Sequence, residues 1–239
     1  MFRVSDFNWG WMSEPDNSMR VLIEKEFFSG KENIYEKIFP VEKDDIVLDL
    51  GASIGPFPYV IKDRRNPKHI YCVEASATQF PILKQNTNHS NITHINKAIW
   101  NEDGPTIMQQ VYGEPDGFGH IPTFVTPKPV EGIKFSTLIK EYNIDKIDFL
   151  KTDCEGGEYD VFNIENLIWL KQNLRKVAGE WHLSNPQLKQ KFREFRDVFL
   201  RVFPNHQIHS VDGVDIKWDL WNEHFIEYYN EVIIYIDNR

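Results

Sequence analysis

The sequence predicts an α/β protein built on a doubly wound, mostly parallel β-sheet. From residue 44 onward, short runs of β-branched and other apolar residues alternate with stretches that have the apolar spacing of helices. This alternation is typical of successive β-α-β units, whose strands form a parallel sheet. The last apolar run, residues 231–236, follows a second candidate strand within residues 203–215, and together they predict an antiparallel hairpin at one edge.

The individual elements follow from apolar spacing and from turn residues. The predicted strands are residues 46–50, 69–73, 95–100, 107–111, 146–152, 176–179 and 231–236. The predicted helices between them are residues 56–64, 77–88, 136–143, 157–174 and 186–201. Residues 113–130 contain four prolines and three glycines, so we expect a loop there instead of regular structure.

The first 43 residues differ from the rest and predict an N-terminal extension. An aromatic and polar start is followed by a helical pattern from Met19 to Phe39, which Gly30 interrupts and Pro40 ends. We expect residues 1–43 to form a helical and aromatic extension, able to act as a substrate lid, and residues 44–239 to form the main domain.

Composition and charge narrow the classes of function. With 41% hydrophobic and 26% charged residues, the chain is neither a disordered protein nor a small disulfide scaffold. A net charge of −9 disfavours binding to polyphosphate, so we expect no nucleic-acid partner. The sequence has neither an apolar run of about 20 residues nor a signal-peptide pattern, so we expect no membrane association and a cytoplasmic location.

The first candidate site is the turn that follows the strand at residues 46–50. Residues 49–55 read D-L-G-A-S-I-G, so a strand turns sharply into a helix where a ligand can approach the backbone. A plain turn would explain Gly51 alone. The dehydrogenase fingerprint needs glycine where Ser53 stands, which disfavours a nicotinamide oxidoreductase. Asp49 would repel a pyrophosphate and attract an ammonium group.

The second candidate site is Glu74, at the end of the next strand and 23 positions after Gly51. In a doubly wound sheet this residue faces the crevice, where a carboxylate can accept hydrogen bonds from both hydroxyls of a ribose. A cationic amino acid near Asp49 and a ribose on Glu74 together describe S-adenosylmethionine. The predicted cofactor-binding residues are Asp49, Gly51, Ala52, Ser53, Gly55, Glu74, Ala75, Asn96, Ala98 and Asp153.

The third candidate site is acidic. Asp153, Glu155 and Glu158 follow a buried strand and open a helix, and capping of that helix explains part of the pattern. Capping does not explain why the carboxylates lie at the strand edge that would face a bound methyl donor. Glu180 and His182 end the following strand.

The acidic site is the candidate catalytic centre. A sugar hydroxyl is a poor nucleophile, so a positioned base would help, and His182 is the first choice because its ordinary pKa is near 6.5. We expect Glu180 or Asp153 to orient it. The alternative is a structural histidine bonded to a neighbouring carbonyl group.

Several of these segments resemble the FkbM family of S-adenosylmethionine-dependent methyltransferases. Residues 148–162 are similar to its L-K-x-D-x-E-G-x-E motif, and residues 47–55 to its D-x-G-A-N-x-G loop, with Ser53 in place of asparagine. Glu74 with Ala75 matches its ribose-binding step, and residues 180–182 its E-x-H strand ending. The resemblance covers residues 44–182 and implies a Rossmann-like, seven-stranded methyltransferase fold, acting in many members on hydroxyl groups of sugars or secondary metabolites.

These observations predict an S-adenosylmethionine-dependent O-methyltransferase that acts on a hydroxyl of a sugar, glycan or secondary metabolite. An N-methyltransferase of the same fold and a non-catalytic cofactor-binding module are the alternatives.

A divalent metal ion is a second possible way to activate the acceptor. Mg²⁺ or Mn²⁺ bound by the carboxylates and the imidazole would lower the pKa of the acceptor hydroxyl directly. The spacing of these residues in the sequence is not diagnostic of a metal site. The residues that could hold such an ion are Asp153, Glu155, Glu180 and His182. Trp9, Trp11, Tyr112, Phe118 and His120 lie in segments that could cover the acceptor, although we expect most of the aromatic residues to belong to the core.

Overall fold

The computed structural model describes residues 4–13, 17–28, 33–111 and 125–239, and a seven-stranded sheet lies at its centre. The strands are β1 (Ile46–Leu50), β2 (His69–Val73), β3 (Ile92–Ile95), β4 (Ala98–Ile99), β5 (Gly104–Val111), β6 (Val125–Ile133), β7 (Ile147–Thr152), β8 (Leu174–His182), β9 (His206–His209) and β10 (Glu231–Asp237). The central sheet has the order β3-β2-β1-β7-β8-β10-β9.

Pairing in the central sheet confirms the predicted architecture. The five strands from β3 to β8 run parallel, whereas β10 is antiparallel to both β8 and β9. The sheet is therefore mostly parallel, with the predicted antiparallel hairpin at the carboxyl-terminal edge.

Helices lie between the strands in the alternating order that the sequence predicts. They are α1 (Ser18–Ile23), α2 (Pro56–Arg64), α3 (Gln79–Asn86), α4 (Phe135–Glu141), α5 (Glu158–Val161), α6 (Leu167–Asn173), α7 (Pro186–Val202) and α8 (Glu223–Ile226). None of the helices in the described ranges is both long enough and apolar enough to cross a bilayer.

Successive residues of the strands point into two separate cores. Val47 packs with α2, α3 and the N-terminal segment, whereas Leu48 packs with α4 to α7 on the opposite side. This alternation is the period of two that an extended strand imposes. Both faces of the sheet are covered, as a parallel sheet requires.

The N-terminal residues are part of the first of these cores. Phe7, Trp9 and Met12 are buried there with Phe27 and Tyr35, and they pack beside α2 and β1. The division of the chain after residue 43 stays a prediction. Of the aromatic residues that could cover the acceptor, Trp9 is 7% exposed and belongs to this core. Tyr112, Phe118 and His120 lie outside the described residues, and so does the side chain of Trp11.

The helix predicted for residues 19–39 is wrong in its second half. α1 continues as a π-helical turn over Glu24–Phe28, and only a short 3-10 turn follows at Ile34–Glu36. The side chain of Asn33 accepts a hydrogen bond from the amide of Glu36 and so starts a new turn.

The helix predicted for residues 157–174 is two helices, α5 and α6. The Asn163 and Asn166 side-chain amides both donate to the carbonyl of Asp160, at 2.7 and 3.2 Å. Asn166 also donates to the carbonyl of Val161 at 2.9 Å. These bonds replace those that a continuous helix would make.

The other corrections concern residues 92–133. The third strand is β3, which begins earlier than predicted, and residues 98–99 form β4 in a second sheet of order β4-β6-β5. Residues 125–130 were expected to be a loop but belong to β6, which pairs antiparallel with β5 despite Pro127 and Pro129. Over most of its length β6 has one neighbour, and a strand with an open side can accommodate proline.

The turn between β1 and α2 depends on Gly51. Its φ is +74°, and a Cβ at this position would lie 1.7 Å from the carbonyl oxygen of Asp153. The amides of Gly51 and Ala52 both donate to the carbonyl of Val73, at 3.0 Å each. The turn therefore presses the end of β1 against the residue that follows β7.

We predict that Gly51→Ala strongly lowers the free energy of unfolding, because the backbone at Asp153 would have to move. Gly104→Ala is the matched control, since Gly104 has a φ of +109° but no atom within 4 Å of its Cβ position. We expect the control to cost about 1–2 kcal/mol from backbone strain alone. Gly51→Ala should cost at least about 2 kcal/mol more in denaturant unfolding. Equal losses in the two variants would contradict the role of the close contact.

Candidate functional site

Glu74 ties the turn after β1 to the end of β2. Its Oε2 accepts a hydrogen bond from the amide of Ser53, and its Oε1 from the amide of Ser76, both at 2.7 Å. Burial raises the pKa of Glu74 to about 7, although the two amide bonds act in the opposite direction. Each oxygen keeps a second lone pair, so the carboxylate can still accept from a ligand.

The end of β3 is joined to the same place. The side-chain amide of Asn96 donates to the backbone carbonyls of Glu74 and Ala75, at 2.8 and 3.3 Å. Glu74, Ala75 and Asn96 are therefore brought together, as the sequence predicts for one edge of a ligand site. Ala98 lies in β4 and pairs with Gly132 in the second sheet.

Two side chains at the turn have buried polar atoms without a hydrogen-bond partner among the described residues. Ser53 has a φ of +52°, and within the described residues its Oγ has no hydrogen-bond partner. The carboxylate of Asp49 is also without a hydrogen-bond partner there, and Asp49 is 0% exposed. Burial raises the pKa of Asp49, which its ion pair with Lys151 opposes.

Lys151 lies at the centre of this edge of the sheet, opposite Asp49 in the register of β1 and β7. Its Nζ is 3.2 Å from Asp49 Oδ1 and 3.7 Å from Asp153 Oδ2, and it donates to the carbonyl of Gly51 at 2.7 Å. Burial acts to lower the pKa of Lys151, but the charges of Asp49 and Asp153 raise it above its ordinary value. Because Asp49 is paired with Lys151, its direct contact with a cationic ligand stays a prediction.

Tyr35 connects the ends of β7 and β8. Its hydroxyl lies 3.1 Å from Asp153 Oδ2 and 3.1 Å from Glu180 Oε1, and it is positioned to donate to either carboxylate. A phenol has one proton to donate, so it satisfies one carboxylate at a time. Burial and the charge of Asp153 raise the pKa of Glu180 well above its usual range, which allows the Glu180 carboxyl to carry a proton.

His182 is buried at the end of β8 and is oriented by Glu158. Glu158 Oε1 accepts from the backbone amide of His182 at 2.7 Å and lies 3.1 Å from His182 Nδ1. The expected orienting residues, Glu180 and Asp153, do not make this contact, because the Nδ1 edge faces α5. His182 Nε2 instead faces Glu155 and Asp153, at 3.5 and 3.9 Å.

The charge state of His182 follows from these neighbours. Burial acts to lower the pKa of His182, but Glu158, and then Glu155 and Asp153, raise it well above its ordinary value. The imidazole is therefore mostly protonated at neutral pH. It can accept a proton from another group only in the minor neutral form.

The ends of β7 and β8 also bring together groups that could hold a metal ion. One ligand atom each from Asp153, Glu180 and His182 lie within 4.8 Å of one another. Glu155, the fourth residue of the predicted set, is exposed on its carboxylate side and reaches the same imidazole. Carboxylate oxygens with one imidazole suit Mg²⁺ or Mn²⁺.

For three residues of the site, the sequence analysis did not predict the contacts that the structure shows. Lys151 is a charged residue inside an apolar strand, two positions before Asp153. A charge at such a position indicates a buried ion pair, so this contact could have been predicted. Glu158 was interpreted as part of an acidic helix start, not as the partner of His182. Tyr35 lies 118 residues before Asp153 in a segment with a helical pattern, so no local signal identifies it.

Comparison with known proteins agrees with this geometry. The family model for the methyltransferase FkbM domain matches residues 49–206, about two thirds of the chain. No curated protein sequence matches the chain.

Among solved structures, the fibrillarin pre-rRNA processing protein of Methanococcus jannaschii is 19% identical, with a TM-score of 0.45 over 84% of this chain and 69% of that one. A putative O-methyltransferase from Klebsiella pneumoniae is 11% identical, with a TM-score of 0.45 over 82% of this chain and 74% of that one. A precorrin-6y C5,15-methyltransferase from Geobacter metallireducens is 11% identical, with a TM-score of 0.42 over 98% and 94%. Similarities at this level concern the fold and do not select an acceptor.

The motifs that resemble the FkbM family all lie at the ends of neighbouring parallel strands. The D-x-G-x-x-x-G turn follows β1, Glu74 follows β2, and the acidic motif follows β7, all at the carboxyl edge of one Rossmann-like sheet. The family match supports S-adenosylmethionine-dependent methyl transfer. The chain belongs to the FkbM methyltransferase family.

Proposed function

We propose that this protein is an S-adenosylmethionine-dependent O-methyltransferase whose acceptor is a hydroxyl group of a sugar, a glycan or a secondary metabolite. The observation that carries the proposal is the cluster of Asp153, Glu180 and His182 at the ends of β7 and β8. This cluster adjoins the turn after β1, where Gly51 meets the carbonyl of Asp153. A group that removes a proton therefore lies beside the expected methyl donor.

The residues at the turn fit the cofactor. Glu74 retains acceptor capacity for a ribose diol, and beside it lies the Oγ of Ser53, which has no hydrogen-bond partner among the described residues. Gly51 allows the backbone of the turn to approach that of Asp153, which places the turn beside the acidic cluster. Gly51, Ala52, Ser53 and Gly55 would hold the amino acid end, with Ala75, Asn96 and Ala98 toward the adenine. Bound S-adenosylmethionine supplies an electrophilic methyl group on a sulfonium.

The acidic cluster orients the acceptor and removes its proton. Glu158 holds Nδ1 of His182, which directs Nε2 toward Asp153 and the acceptor side. In its neutral form, His182 can take the hydroxyl proton, while the carboxylate of Asp153 stabilises the imidazolium that forms. When Glu180 carries a proton it is neutral, and Asp153 then carries the one negative charge of the pair.

We further infer that residues 1–43 form an extension that covers the acceptor side, which the contacts of the Tyr35 hydroxyl with Asp153 and Glu180 support. The cytoplasmic location and the lack of a nucleic-acid partner stay predictions from the sequence.

The direct test is an acceptor screen with a labelled methyl group. We expect S-adenosylmethionine to be converted to its demethylated product in step with methylation of a neutral polyhydroxylated acceptor, measured by mass spectrometry. Tight cofactor binding without methylation of any acceptor would favour the non-catalytic module. Methylation confined to amines would favour the N-methyltransferase.

We predict that His182→Ala lowers kcat for a hydroxyl acceptor by about 10²–10⁴-fold, the usual contribution of a general base. His209→Ala is the matched control, because His209 is also buried in the sheet but lies in β9, away from the cluster. The wild-type rate should rise with pH above the ordinary histidine range, since the raised pKa of His182 keeps the neutral form scarce at pH 7. Activity that survives in His182→Ala would exclude this base and is what amine methylation predicts.

We predict that cofactor affinity rises with pH around the pKa of Glu74, which is about 7. The ionised carboxylate accepts from both ribose hydroxyls, whereas the protonated form does not, so binding releases the proton from those molecules in which Glu74 carries one. Affinity measured by calorimetry should therefore increase severalfold between about pH 6 and pH 8, with a limit of tenfold per pH unit. Glu74→Gln should bind weakly and lose this dependence, and the exposed Glu194→Gln should keep it. A wild-type affinity that does not change with pH would contradict the role of Glu74.

A metal-assisted version of the reaction is the second candidate, favoured by the approach of Asp153, Glu180 and His182 within 4.8 Å. A divalent ion held there would lower the pKa of the acceptor hydroxyl. Exhaustive chelation followed by a methyl-transfer assay separates the two versions. The base mechanism predicts an unchanged rate. Loss of activity that Mg²⁺ or Mn²⁺ restores would show that the metal is required.

A further inference from the structure

Tyr35 belongs to the N-terminal segment, yet it contacts three charged side chains of the candidate catalytic edge. Its hydroxyl lies 3.1 Å from both Asp153 and Glu180, and Lys151 Nζ lies 5.3 Å from the centre of its ring. Tyr35 is 2% exposed. A single buried phenol therefore joins the residue that follows β7 to the end of β8.

The segment around Tyr35 is held firmly in place. The hydroxyl of Tyr235 on β10 donates to the carbonyl of Ile34 at 2.6 Å. One residue further on, buried Glu36 accepts from the amide of Val41 at 3.1 Å and pairs with Arg65 at 2.8 Å. The phenol is therefore held by bonds of the residues on both sides of it.

The ring of Tyr35 is fixed by packing as well. Phe27 lies against its face with ring centres 6.1 Å apart, and Phe57 of α2 meets it edge to face at 5.8 Å. A phenylalanine at this position would keep both contacts and lose only the hydroxyl. Packing and hydrogen bonding at Tyr35 can therefore be separated by one substitution.

We propose that Tyr35 is a positioning residue for methyl transfer: its hydroxyl holds Asp153 and Glu180 at one separation and so places the carboxylate that meets the acceptor. The proposal rests on the proposed function. Two ionised carboxylates on adjacent strand ends repel each other in a buried site. The phenol donates its one proton to one of them, and its oxygen can accept from the other when that carboxyl carries a proton, so the hydroxyl can bond both groups at once. Lys151 attracts Asp153 toward the turn, so without the phenol the two carboxylates should move apart.

The consequence is a loss of rate and not of binding. Displacement of a reacting group by about 1 Å can lower a rate by about a hundredfold. Of the predicted cofactor residues, the hydroxyl contacts Asp153, whereas the turn after β1 and Glu74 keep their own hydrogen bonds, so most of the cofactor affinity should be retained. A purely structural role would instead lower stability and leave the turnover of the folded enzyme unchanged.

The test compares Tyr35→Phe with Tyr235→Phe in the full-length protein. Both variants lose one buried hydroxyl, and the Tyr235 hydroxyl donates to the backbone of Ile34 in the same segment. We expect Tyr35→Phe to lower kcat by ten- to a hundredfold, with the acceptor KM and the cofactor Kd within about twofold of wild type. Tyr235→Phe leaves the Glu36 contacts and the ring packing that also hold Tyr35, so it should keep the wild-type kcat and show a comparable shift in the thermal midpoint. An unchanged kcat in Tyr35→Phe, or equal losses in both variants, would overturn the proposal.

A crystal structure of Tyr35→Phe provides a readout that does not need turnover. We expect the distance between Asp153 Oδ2 and Glu180 Oε1 to increase relative to wild type, with the ring position unchanged. Carboxylates that stay in place would overturn the proposal even if kcat falls. A wild-type enzyme that methylates no acceptor would instead count against the proposed function, while the structure of the variant would still decide whether Tyr35 sets the carboxylate positions.

Discussion

The arrangement of this site depends on one buried ammonium group. Lys151 is 4% exposed and takes its charge into the sheet, where Asp49, Asp153 and the carbonyl of Gly51 surround it. Burial of a charge is costly unless partners compensate it, and removal of one partner from such a group leaves the others uncompensated. The end of β1 and the residue after β7 are consequently fixed relative to each other. The turn expected to hold the cofactor and the carboxylate expected to meet the acceptor thus share one support.

Around this support, each neighbouring strand adds one function to the same edge. Glu74 after β2 holds the turn through the amide of Ser53 and keeps capacity for a ligand. His182 at the end of β8 is aimed by Glu158, which sits at the start of α5. The N-terminal segment then closes the acidic side with Tyr35. The residues of the proposed site therefore come from distant parts of the chain but lie at one edge of the sheet, as is usual for open α/β sheets.

The parts of the fold that could be predicted from the sequence are those with local signals. Apolar runs and turn residues predicted β1, α2 and β2 at their observed limits, because buried parallel strands have strong apolar patterns and Pro56 after Gly55 marks the start of α2. The turn, Glu74 and the acidic cluster were predictable because strand ends of a parallel sheet meet at one edge. The break at residues 162–166 depends on side-chain amides of Asn163 and Asn166, which hydrophobic spacing does not detect. Tyr35 could not be found, since its contacts span more than a hundred residues.

The most direct test is a crystal structure of the protein with S-adenosylhomocysteine, the demethylated form of the proposed methyl donor. We expect the ribose hydroxyls on Glu74, the amino acid end beside the turn at Gly51, and the sulfur atom directed toward Asp153 and Tyr35. Lys151 should remain between Asp49 and Asp153 in the complex. A ligand found away from the carboxyl edge of β1 and β2, or no bound ligand at saturating concentration, would contradict this expectation.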